Sequence, residues 1–90
     1  MVQETIVAAA NAAVPGYLLM TALGYSVDRV DRDGGENWIA KKASFTFIAD
    51  DPLQLLGLHL LRNERGPHWQ ASDSEINEFL ARFYPSAART

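Results

Sequence analysis

The sequence predicts an α+β fold: about four helices on one face of a small antiparallel sheet of two or three strands, with one helix central and leucine-rich. Three observations predict it. Period-two alternation is confined to the stretch from Tyr25 to Ala49, with helical spacing on both sides of it. Cap residues followed by proline or glutamate stand at Asp51-Pro52 and at Ser72 with Glu75, and Gly66-Pro67 separates the two segments they open. The 90 residues, 48% apolar and 21% charged, have ordinary globular composition and fit one domain over 1–90.

The first helix is expected over Gln3 to Ala13, where Ile6, Ala9, Ala10, Ala13 and Val14 fall at helical spacing. Pro15 should break or kink it, because proline lacks the amide donor and crowds the preceding turn. A second short helix then starts near Pro15 and runs through Leu23, with Gly24 as its left-handed terminator. The alanine-rich face is thin, so a neighbour can come close but gains little area there.

Tyr25 and Val27 alternate with Ser26 and Asp28 as a half-buried strand does. The cluster Asp31 to Asn37 reads as a turn, with Gly34 and Gly35 free to take positive φ. Trp38 to Lys41 resumes an extended segment. Phe45, Phe47 and Ala49 alternate with Thr46 and Ile48 in another, and the pattern leaves Lys42-Ala43-Ser44 open as a turn or a bulge.

The third helix, Pro52 to Arg65, carries the strongest signals. Asp51 is a good N-cap, Pro52 suits the first helical position, and Gln54 completes a capping-box variant. Arg62 and Arg65 complement the dipole at its far end. In the fourth helix Ser72 and Glu75 form a capping box, and Ile76, Phe79, Leu80 and Phe83 make one apolar stripe. Pro85 ends it and leaves Ser86–Thr90 as a frayed tail.

The third helix is apolar around most of its circumference. Leu53, Leu56 and Leu60 cluster on one side, and Leu55, Leu58 and Leu61 continue the surface, leaving His59 and Asn63 as the polar strip. An ordinary surface helix has an apolar arc a little over 100° wide. Burying a leucine is worth roughly 1.5–3 kcal/mol, so cover on more than one flank is expected. That cover is the rest of the chain, a foreign partner or a second copy, and a homodimer is the favoured reading. Gly57 is expected to admit a close helix neighbour.

Chemistry-bearing constellations are absent. With no cysteine there is no disulfide, thiol nucleophile or thiolate metal site. His59 and His68 lack metal-ligand spacing, and capping accounts for Asp51 beside Asp50. Asp31-x-Asp33-Gly34-Gly35 fails the EF-hand rule twice, since Gly35 and Lys42 stand where acidic ligands belong. No serine lies in a nucleophile elbow. A net charge of −3 gives no electrostatic basis for nucleic acid or an anionic membrane, and Lys41-Lys42 beside Trp38, Phe45 and Phe47 makes a poor basic funnel. The nearly uncharged run from Thr5 to Val27 holds Pro15, Gly16 and much alanine, so it reads as paired helices and not a membrane span. The first charge is Glu4, which does not suit a secretory leader, and the cytoplasm is the expected location.

The expected function is therefore non-enzymatic: a small interaction or regulatory protein, without cofactor or metal, acting through an apolar helical surface. Leu55, Leu58, His59, Arg62, Arg65 and Trp69 are the expected partner-binding residues, because tryptophan and arginine favour interface centres. The alternative for Trp69 is that it folds back and closes the core over Gly66-Pro67. Two rival functions are a ligand or catalytic site near His59, His68 and Trp69, and an acidic inhibitor steered to a basic target by Asp28, Asp31, Asp33 and Glu36.

Overall fold

Two prolines and two glycines fix where the first two helices start and stop. The computed structural model describes residues 3–8 and 10–88. Helix α1 spans Ala13–Ala22, with a single 3-10 turn over Ala10–Ala12 ahead of it. Pro15 sits in its first turn, where its missing N–H has no intrahelical partner to lose. Gly24, at φ +97°, closes it: the Tyr25 N–H donates to the Met20 carbonyl and the Gly24 N–H to Thr21, a full Schellman motif.

The helix expected over Gln3 to Ala13 is not formed. Residues 3–8 have no regular structure, and Ile6 and Val7 are exposed; residue 9 lies outside the described residues. Pro15 limits any helix to starting within about a turn before it, and a short isolated helix is marginal in water even when rich in alanine. Among the described residues the fold accordingly has three helices longer than a single turn, not about four.

Strands β1 (Ser26–Arg32), β2 (Gly35–Lys42) and β3 (Phe45–Ala49) form an antiparallel meander in the order β1-β2-β3. The expected turn cluster is mostly strand: Arg32 pairs with Gly35, leaving only Asp33 and Gly34 in the loop. Lys42 pairs with Phe45, so Ala43-Ser44 is a two-residue turn and not a bulge. Ala43 holds φ +52°, where a Cβ is strained, while the first position of such a hairpin favours glycine. Ala43→Gly is expected to stabilise the fold by about 1 kcal/mol, read as a higher urea midpoint with an unchanged slope.

Helix α2 spans Pro52–Arg65 as the punctuation predicts, with Asp51 accepting the Gln54 N–H at 2.9 Å. The Gln54 side chain reaches one residue further back than a capping box requires and accepts from the Asp50 N–H. Gly66, at φ +84°, ends the helix. Helix α3 spans Asp73–Phe83 with the reciprocal Ser72–Glu75 box formed. The expected tail is in its first part a helical turn, Pro85–Ala88, and residues 89–90 lie outside the described residues.

The core is small. Met20, Tyr25, Ala40 and Leu55 are buried, with Leu23, Val27, Trp38, Phe47, Ala49 and Leu56 packed around them. These come from α1, α2 and one face of the sheet; Ile48 and Lys41, on the other face, are exposed. Helices α1 and α2 meet at Gly16, where an added Cβ would stand 3.3 Å from the Leu53 Cα. Gly57 has nothing within 4 Å of that position, so the close approach expected there is made by Gly16.

Candidate functional site

The arrangement of α2 decides what the molecule presents to its surroundings. Pro52, Leu55, Leu56, His59 and Arg62 recur at helical spacing, and this is the stripe turned inward. It includes two polar residues because the sheet side satisfies both. The Tyr25 hydroxyl lies 2.7 Å from His59 Nδ1, with the two rings edge to face. Asn63 Nδ2 lies 3.1 Å from His59 Nε2, which makes Nε2 the acceptor and leaves the Nδ1–H to donate to Tyr25. The Arg62 guanidinium lies over the Phe45 ring at 5.1 Å, and Phe45 in turn stacks on Phe47. Burial pushes the Tyr25 phenol up from its ordinary value.

Because this stripe faces in, Leu60 and Leu61 are exposed, and Leu53 is covered only in part, by α1 at Gly16. The expected dry cover on more than one flank is not supplied by the rest of the chain. Leu55 lies wholly inside its own core and offers no outward surface. Leu58 is half-buried, and His59 and Arg62 are engaged with the sheet side. Of the six expected partner-binding residues, Arg65 and Trp69 stand together at one opening.

That opening is a cleft of about 610 Å³ between the end of α2 and α3. Leu61, Arg65, Ile76, Phe79 and Leu80 line its walls, and Trp69 is half-buried beside them, outside the core cluster. The Arg65 Nε donates to the Trp69 carbonyl at 2.9 Å, and its terminal nitrogen approaches Glu75 at 3.4 Å. The Glu75 carboxylate also accepts the Ser72 N–H; that bond, with Arg65 beside it, holds its pKa below the usual range. Linker and helix are thus braced in a defined orientation. Among the described residues helix α3 packs broadly only on the turn that follows it, so most of its apolar stripe is left exposed, with Leu80 half-buried. Phe79 is 55% exposed, Phe83 57% and Tyr84 58%.

A second apolar area lies on α1. Its ten residues carry no charge, and Val14 and Leu18 are 58% and 56% exposed. A hollow of about 350 Å³ beside them is lined by Ala13, Val14, Tyr17, Trp38 and Pro52.

The remaining candidates are dispersed. His68 is exposed and, like His59, lies outside the cleft lining. Among the described residues no group of three His, Asp or Glu side chains stands ready to hold a metal. Arg29 binds both Asp31, at 2.8 Å, and Glu36, at 2.6 Å, so its single positive charge offsets part of the expected acidic patch. Lys42 donates to the Leu23 carbonyl at 2.6 Å at the end of α1, and Lys41 lies on the sheet face opposite Trp38, Phe45 and Phe47. No helix among the described residues is long and apolar enough to cross a membrane.

Sequence reasoning missed Leu61, Ile76, Phe79, Leu80, Phe83 and Tyr84 as surface residues. Their helical spacing was visible, but a stripe left without cover looks the same in sequence as one packed on a core. The chain matches no protein-family model, and no curated protein or solved structure shows significant similarity to it.

Proposed function

We propose that the protein is a small non-enzymatic interaction module that works through apolar helical surfaces, and that it does so as a homodimer in the cytoplasm. One observation carries the reading. The chain exposes 7349 Å², whereas a folded monomer of 10.0 kDa exposes about 5,200 Å². Its radius of gyration is 16.3 Å against about 12 Å for a compact 90-residue domain.

The excess is about 2,100 Å², and the large apolar residues exposed in the structure include Val14 and Leu18 of α1 and Phe79 and Phe83 of α3. Obligate homodimers bury about 1,000–2,500 Å² per chain, so the surplus is of the size an association of this kind removes from water. Exposed aromatics and leucines on braced elements supply the apolar centre such an interface needs. Multi-angle light scattering across a range of concentrations tests the reading. A mass of twice 10.0 kDa is expected, and a concentration-independent 10.0 kDa overturns it.

A further inference from the structure

We propose that the cleft between α2 and α3 is occupied by the α3 arm of a second copy, each copy clasping the other's arm about a twofold axis. The inference rests on self-association as proposed above, and it specifies the surface responsible. The same stripe serves as wall and as insert: Ile76, Phe79 and Leu80 line the cleft of their own chain and are the apolar side of the arm that enters the partner's. An interface built this way is self-complementary. It needs no second patch of matching shape, and its closed symmetry stops assembly at two.

Closure of the arm onto its own α2 is the competing way to cover these residues, and in the structure the base of the arm is tied in the open position. Arg65 holds the Trp69 carbonyl and the Glu75 carboxylate together, Gly66-Pro67 ends α2, and the Ser72–Glu75 box fixes the start of α3. Arg65 makes these contacts with the arm standing off α2, at 2.9 Å to Trp69 and 3.4 Å to Glu75. Inserting a second arm leaves them in place and sets Leu61, Ile76 and Phe79 against the incoming aromatics.

The clasp also explains why the aromatic residues gather at one end. Phe79 lies at a tilt to Phe83, with centroids 5.1 Å apart, and to Tyr84 at 6.2 Å, all outside the chain's own core cluster. Aromatic side chains lose little conformational freedom when an interface orders them, so they suit its centre.

Three proteins measured by light scattering and sedimentation equilibrium test the clasp: wild type, the arm variant Phe79→Asp with Phe83→Asp, and the α1-face variant Leu18→Asp. The expected result is a wild-type dimer, an α1-face variant that remains dimeric, and an arm variant whose association is weakened roughly tenfold or more. Circular dichroism checks that the fold persists; should aspartate unfold the arm, Phe79→Ser with Phe83→Ser gives the same readout. A dimer that survives the arm substitutions but dissociates in Leu18→Asp overturns the clasp and leaves self-association standing. A wild-type monomer overturns both. Because the chain has no native cysteine, Phe79→Cys adds a second measurement. Oxidation is expected to link two arms faster than it links two copies of Leu18→Cys, and equal rates count against the clasp.

Discussion

Leu55→Ala is expected to lower folding stability by about 2–5 kcal/mol. A 90-residue domain has about 5–13 kcal/mol in total, so this one truncation removes a large share of it. The size of the effect follows from how few side chains are fully enclosed. Leu55 packs with Met20, Tyr25 and Ala40, and among the described residues Met20 and Leu55 are the largest fully buried side chains. The residues around it belong to α1, β2, β3 and α2, so collapse into the vacated space would require several elements to move together. Trp38 borders the core and reports unfolding by fluorescence. The urea midpoint should fall while its slope stays constant. A loss under about 1 kcal/mol would show that the core is not organised around Leu55. Leu60→Ala supplies the contrast: the side chain is exposed, so in dissociated protein the change should lie within about 0.5 kcal/mol.

Much of this architecture could be read from local signals. Asp51 with Pro52, Gly66, and the Ser72–Glu75 pair mark α2 and α3 because capping depends on residues a few positions apart. The alternation of Phe45, Phe47 and Ala49 marks β3 for the same reason. The start of α1 was harder. An alanine run satisfies helical periodicity without needing a helix, and Pro15 was consistent with either a kink or a start.

The inward face of α2 was not legible at all. Six leucines suggested that the polar strip around His59 faces water, yet His59 and Arg62 turn inward. They do so because Tyr25 and Phe45, distant in sequence, offer a hydrogen bond and an aromatic face. Leu60 and Leu61 are left outside as a consequence. The arm shows the same limit: spacing identifies an apolar stripe, but its cover depends on where other elements run.

Gly16→Val is expected to destabilise the fold by about 1–3 kcal/mol, although valine inserted into an open helix position would ordinarily be mild or favourable relative to glycine. The reason is contact with backbone. An added Cβ at Gly16 meets the Leu53 Cα at 3.3 Å and the Leu53 nitrogen at 3.4 Å, and neither atom can rotate away as a side chain would. The two methyl groups of valine reach further still, so α1 and α2 must separate. Separation loosens Met20 and Leu55, which lie on either side of that contact. Gly57→Ala gives the opposite sign: its added methyl meets nothing, φ there is not positive, and removing glycine from a helix interior is worth roughly 0.5–1 kcal/mol. The two substitutions act on neighbouring helices through the same change of glycine to a larger residue. Denaturation midpoints moving in opposite directions would locate the α1–α2 contact at Gly16, whereas a stabilising Gly16→Val would mean the helices do not touch there.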